Sequence, residues 1–107
     1  MIFTDTHTHL YAAEFDTDRE ELMKRAIDTG VSRFFLPNVE ASSVTPMLDL
    51  CERFPENCFP MMGLHPCSVK ENYLDELSLV ETELSNGNYV GVGEIGLDFF
   101  WDISFVK

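Results

Sequence analysis

The stretch Thr17–Asn38, TDREELMKRAIDTGVSRFFLPN, decides the architecture, because it holds a helix-to-strand transition with punctuation at each boundary. Thr17 and Glu20 have the spacing of a capping box, in which the threonine accepts from the third helical N–H and the glutamate reaches back. Leu22, Met23, Ala26 and Ile27 form an apolar stripe at helical spacing, and Gly30 stands where a left-handed residue closes a helix. Val31–Leu36 then reads as an apolar strand, stopped by Pro37 and Asn38.

The same alternation extends in both directions. Upstream, Ile2–Thr6 reads as a first strand. Downstream, a second helix opens near Ser42 or Ser43, with Pro46 in its first turn, where a missing N–H costs little. Val44, Met47, Leu48 and Cys51 are spaced as its buried face. Cys58–Leu64 reads as a third strand. Tyr73–Ser85 is a third helix with Leu77, Val80 and Leu84 on one side, and Tyr89–Ile95 is a fourth strand. Strands joined by helical crossovers predict an α/β fold: a parallel sheet with helices outside, its strands apolar because both faces are covered. A (β/α)8 TIM barrel needs eight such units and about 250 residues. Residues 1–107 therefore predict the first half of one barrel domain, four βα units with the last incomplete, and Asp102–Lys107 entering a fourth helix.

Nineteen acidic residues against seven basic ones give a net charge of −12. Broad clamping of nucleic-acid phosphates calls for a basic patch, and this sequence has none. If the substrate is nucleic acid, a bound cation must supply the local attraction. No basic leader or long apolar run marks a secretory or membrane segment. Cys51, Cys58 and Cys67 match no common zinc spacing and are read as reduced thiols, with the cytoplasm as the expected location.

Chemistry in parallel α/β folds gathers at the carboxyl ends of strands. His7 and His9 follow the first strand one residue apart, so on extended backbone both imidazoles face the same way, as a divalent metal requires. His65 follows the third strand in Gly63-Leu64-His65-Pro66, where Gly63 permits close backbone approach and Pro66 sets the turn. Glu94 closes the fourth strand among glycines, where a charge is costly to bury unless paired or metal-bound. The glycines lack the spacing and the lysine of a phosphate-binding loop. Two histidines, a third histidine and a glutamate at one end of one sheet predict a metal-dependent hydrolase.

These residues carry a family resemblance. Asp5-Thr6-His7-Thr8-His9-Leu10, Gly63-Leu64-His65-Pro66 and Gly93-Glu94-Ile95-Gly96-Leu97-Asp98 resemble, in order and spacing, three signatures of the TatD family of metal-dependent deoxyribonucleases. The resemblance implies an amidohydrolase-type TIM barrel with up to two divalent metals, Mg²⁺ first, with Mn²⁺ or Zn²⁺ as alternatives. It implies that His7 and His9 bind one metal, that Glu94 bridges two, and that His65 lies near the scissile phosphate as a catalytic and substrate-binding group. Asp98 is then a supporting residue. It also implies hydrolysis of DNA phosphodiesters from strand ends, 3′ to 5′. Complete members run for roughly 150 further residues, as eight units require, and carry two more metal histidines and an aspartate there. Two alternatives accompany this reading: a related amidohydrolase acting on C–N or ester bonds, and an inactive or partner-dependent fragment. An open half-barrel would also be expected to self-associate through its exposed sheet edges.

Overall fold

A computed structural model describes residues 1–101 and 104. Their elements follow the predicted alternation: β1 (Phe3–Asp5), α1 (Arg19–Asp28), β2 (Val31–Pro37), α2 (Ala41–Arg53), β3 (Cys58–Met62), α3 (Tyr73–Asn86) and β4 (Gly91–Val92). The strands form one sheet in the order β1-β2-β3-β4. Every pair is parallel, with Phe3 beside Val31, Phe34 beside Cys58 and Met61 beside Gly91. This is the strand order of the first half of a (β/α)8 barrel. The predicted fourth helix falls at 102–107, outside the described residues apart from Ser104.

The core lies between the sheet and α1 and α2. Met23 of α1, Phe34 and Leu36 of β2, Val44, Met47 and Leu50 of α2, and Cys58 and Met62 of β3 pack as one buried cluster, joined by Tyr11 from the β1–α1 loop. Gly30 ends α1 as expected, at φ +109°, and a Cβ there would lie 2.8 Å from the Met1 carbonyl oxygen.

Several local expectations are corrected. Thr17 and Glu20 do not cap α1, which begins at Arg19 after Asp18 without a side-chain cap. Arg19 instead bonds back to the carbonyls of Leu10, Tyr11 and Ala12, and this sets where the helix starts. Helix α2 begins earlier than predicted, so Pro46 lies inside it rather than in its first turn. The early start has a cause: Ser43 Oγ accepts from the Glu40 N–H, and the Glu76 carboxylate of α3 accepts from the Ala41 N–H at 2.9 Å. A carboxylate there also meets the positive end of the helix dipole. Val44 and Met47 are buried as predicted and Cys51 packs against the core, but Leu48 is exposed and Leu50 takes its place in the buried face. In α3 the inward-turned side carries Glu76, Leu79 and Val80, which leaves Leu77 and Leu84 exposed. Reaching α2 with Glu76 is what turns the helix. The assigned fourth strand is shorter than Tyr89–Ile95, although the N–H groups of Val90 and Gly93 still bond Pro60 and Met62 of β3.

Gly30→Ala is expected to lower stability by about 1–2 kcal/mol, since alanine resists positive φ and its Cβ collides with backbone. Urea unfolding followed by far-UV circular dichroism reads this out. An unchanged midpoint would contradict it.

Candidate metal centre

The chain leaves β1 at Asp5, whose carboxylate accepts from the His7 N–H at 3.1 Å. His7 and His9 then converge, with their Nε2 atoms 3.2 Å apart. Glu94, just past β4, brings Oε2 to 3.1 Å from His7 Nε2 and 3.2 Å from His9 Nε2. Three residues from opposite edges of the sheet therefore present three donor atoms at the corners of a near-equilateral triangle.

Asn38, at the end of β2, holds the glutamate in place. Its N–H bonds the Met61 and Gly93 carbonyls, and its own carbonyl accepts from the Glu94 N–H at 3.0 Å. Its amide nitrogen donates to the carbonyls of Glu40 and Gly63, and Oδ1 accepts from Ser43 Oγ at 2.6 Å. All this happens at a residue 1% exposed. Gly63 completes the seat: a Cβ there would lie 2.6 Å from the Gly93 carbonyl carbon and 2.7 Å from the Glu94 oxygen. Only a residue without a side chain lets β3 pass that close.

The donor set fits a divalent cation. Glu94 Oε2 is buried and forms no hydrogen bond among the described residues, although two imidazole nitrogens lie at contact distance. A buried acceptor left without a partner costs about 1–3 kcal/mol, more if charged. Ion-to-donor distances of about 2.1 Å place neighbouring donors about 3.0 Å apart at right angles and about 3.4 Å apart at the tetrahedral angle. The observed edges of 3.1–3.2 Å lie between these limits.

His65 meets the other oxygen of the same carboxylate, with Nε2 3.0 Å from Glu94 Oε1. Its Nδ1 accepts from the Cys67 N–H at 3.0 Å. In a neutral ring the proton then sits on Nε2 and is donated to Glu94. Asp98 lies further out, where its carboxylate accepts from the N–H groups of Phe100 and Trp101 and from the Cys67 thiol.

Sequence reasoning missed Tyr11 and Asn38. The Tyr11 hydroxyl donates to the Pro37 carbonyl and lies 3.0 Å from His9 Nδ1. Burial pushes its pKa from the ordinary 10.0 up to about 12, a bond from Ser43 opposes the shift, and the Glu94 charge adds to it. The available signals were a tyrosine two residues beyond His9 and an asparagine closing an apolar strand. Neither is a ligand type that draws attention. Burial also raises the thiols of Cys51 and Cys58, to about 11 and about 12, which keeps them protonated and inert near neutral pH. All three cysteines are free.

The TatD related DNase family model matches residues 4–106. The chain belongs to this family. It is 31% identical over 104 residues to the metal-dependent hydrolase YabD of Bacillus subtilis, covering 97% of this chain and 40% of that protein. It superposes on the crystal structure of YjjV, a TatD homologue from Escherichia coli K12, with a TM-score of 0.74 and 34% identity, over 94% of this chain and 39% of the other. It is also 28% identical over 95 residues to a protein named 3′-5′ ssDNA/RNA exonuclease TatD from Erwinia tasmaniensis, covering 89% of this chain and 37% of that one. The chain thus spans about two fifths of the length of the relatives it matches. The curled four-stranded sheet corresponds to the N-terminal half of a TatD barrel.

Tyr11 makes stability sensitive to alkali. Its raised pKa means that folding favours the neutral phenol, so the contribution is whole below about pH 10 and is lost as pH rises through about 12. The urea midpoint should fall across that window, and it should fall less steeply in Tyr11→Phe. Parallel declines in the two proteins would show that Tyr11 contributes nothing there.

Proposed function

We propose that this chain supplies the first part of the active site of a divalent-metal-dependent phosphodiesterase, which removes nucleotides from the 3′ ends of DNA. One observation carries the reading: a buried Glu94 oxygen without a hydrogen bond, flanked by two histidine nitrogens at the spacing of coordinated donors. The relative named as a 3′-5′ ssDNA/RNA exonuclease supports the substrate class. His7, His9 and Glu94 would hold the ion, Mg²⁺ in the first instance. When bound, such an ion neutralises phosphate charge and acidifies coordinated water.

The chain's own groups divide the remaining work. His65 donates to Glu94 Oε1 and so aims Oε2 at the histidines. Its position beside the donor triangle also suits contact with a phosphate oxygen, the second role that the resemblance implies. Asn38 and Gly63 hold the Glu94 backbone in register with the ends of β2 and β3. The ligands for a second ion and the group that activates water belong, by the resemblance, to later strands of the family barrel. The acidic surface argues for binding at strand ends through the metal rather than along a duplex. Among the described residues no helix is long and apolar enough to cross a membrane, and the cytoplasm is the proposed location.

The deciding experiment is cleavage of a 5′-labelled single-stranded oligonucleotide by this chain within a complete eight-unit barrel, with Mg²⁺ or Mn²⁺ and with EDTA. Ladder shortening that stops with EDTA, and that falls at least about 100-fold in His9→Ala, is expected. Metal-independent cleavage, or equal activity in the variant, would overturn the reading. Turnover of amide or lactone substrates in place of oligonucleotides would favour the related amidohydrolase.

The sheet edges carry a second expectation. Ile2, Phe3, Val90 and Val92 are all at least half exposed beside β1 and β4. We propose that the 107-residue chain self-associates through these edges. Sedimentation velocity should show mass increasing with concentration, and a monomer at every concentration would refute this.

A further inference from the structure

We propose that Tyr11 is a positioning residue that locks His9 in the tautomer protonated at Nδ1, which keeps the Nε2 lone pair free to face the metal. The inference rests on the metal reading above and extends it to the residue behind one ligand.

Proton counting carries the argument. A phenol has one proton, and Tyr11 donates it to the Pro37 carbonyl oxygen, which can only accept. The same phenol oxygen lies 3.0 Å from His9 Nδ1. With its proton committed to Pro37, the oxygen has only a lone pair to offer, so His9 Nδ1 must be the donor. A neutral imidazole carries a single N–H, so Nε2 is left bare. Nε2 is the atom 3.2 Å from both Glu94 Oε2 and His7 Nε2. Two lone-pair-bearing atoms thus face each other across the centre, an arrangement that a cation stabilises and that its absence penalises.

The arrangement is anchored from behind. Tyr11 is 3% exposed and belongs to the same buried core cluster as Met23 and Phe34. Its acceptor Pro37 immediately precedes Asn38, the residue that holds Glu94. Ligand and carboxylate are therefore referenced to two consecutive residues at the end of β2, Pro37 and Asn38. The two rings meet edge to face, at 83°. His65 provides the internal contrast, because the Cys67 N–H at its Nδ1 forces the opposite tautomer and makes it a donor rather than a ligand. A neutral phenol also orients His9 without adding another carboxylate to a chain already at −12.

The test is the two-bond ¹⁵N–¹H correlation spectrum of the metal-free protein at about pH 8, where ordinary imidazoles are neutral. His9→Ala identifies the His9 resonances. The unmodified protein should show His9 protonated at Nδ1. Tyr11→Phe keeps the ring in the core, and its His9 should shift toward a mixture of tautomers. Its Kd for Mn²⁺ should rise about 10- to 100-fold, as loss of a ligand's outer hydrogen bond commonly does. An Nε2-protonated His9 in the unmodified protein would overturn the proposal, whether or not the variant folds. So would a folded Tyr11→Phe with unchanged tautomer and Kd. If the unmodified protein fails to bind Mn²⁺, the metal reading itself falls, and the His9 tautomer still decides the role of Tyr11.

Discussion

The main chain and side chain of Asn38 hold together the end of the sheet where the donors gather. One buried residue bonds the backbone at Glu40, Met61, Gly63, Gly93 and Glu94 and the hydroxyl of Ser43. Parallel strands end with unpaired backbone groups pointing out of the sheet, and those groups must find partners when buried. Here a side-chain amide supplies partners just past β3 and at the start of α2, while its own backbone reaches β3 and the two residues that follow β4. The donor triangle is precise because the strand ends are tied to one another and not merely adjacent.

The order of elements was legible because hydrophobic spacing changes character along the chain. The short apolar run Phe34-Phe35-Leu36, bounded by Gly30 and Pro37, suits a covered strand, and the stripe through Met23, Ala26 and Ile27 suits a helix. The centre was legible for a similar reason. Histidines one residue apart on extended backbone share a face, and a glutamate among glycines at a strand end needs a partner. The orientations of α2 and α3 were hidden because polar contacts override apolar spacing there. Glu76 reaches the start of α2, and the turn this imposes exposes Leu77 and Leu84, which spacing alone would bury. Tyr11 and Asn38 were hidden because their importance lies in which carbonyls they meet, and no pattern in the chain records those partners.

Charge gives the molecule its second organising constraint. A polypeptide with 19 acidic and seven basic residues repels polyanions at long range. Among the described residues, His65 faces the outer oxygen of the Glu94 carboxylate, and the inner oxygen is left to the two other histidines.

Arg19 fastens the loop that leaves His9. Its guanidinium gathers the carbonyls of Leu10, Tyr11 and Ala12 and the carboxylate of Asp16, at 2.6–3.1 Å, in a fork that a lysine could not reproduce. The loop leaving His9 is riveted at four points, whereas Phe99, Phe100 and Trp101 on the opposite rim stand exposed around the single carboxylate of Asp98. The wall that carries His9 is thus fastened through its own loop, whereas Glu94 is held from β2 and β3 through Asn38 and Gly63.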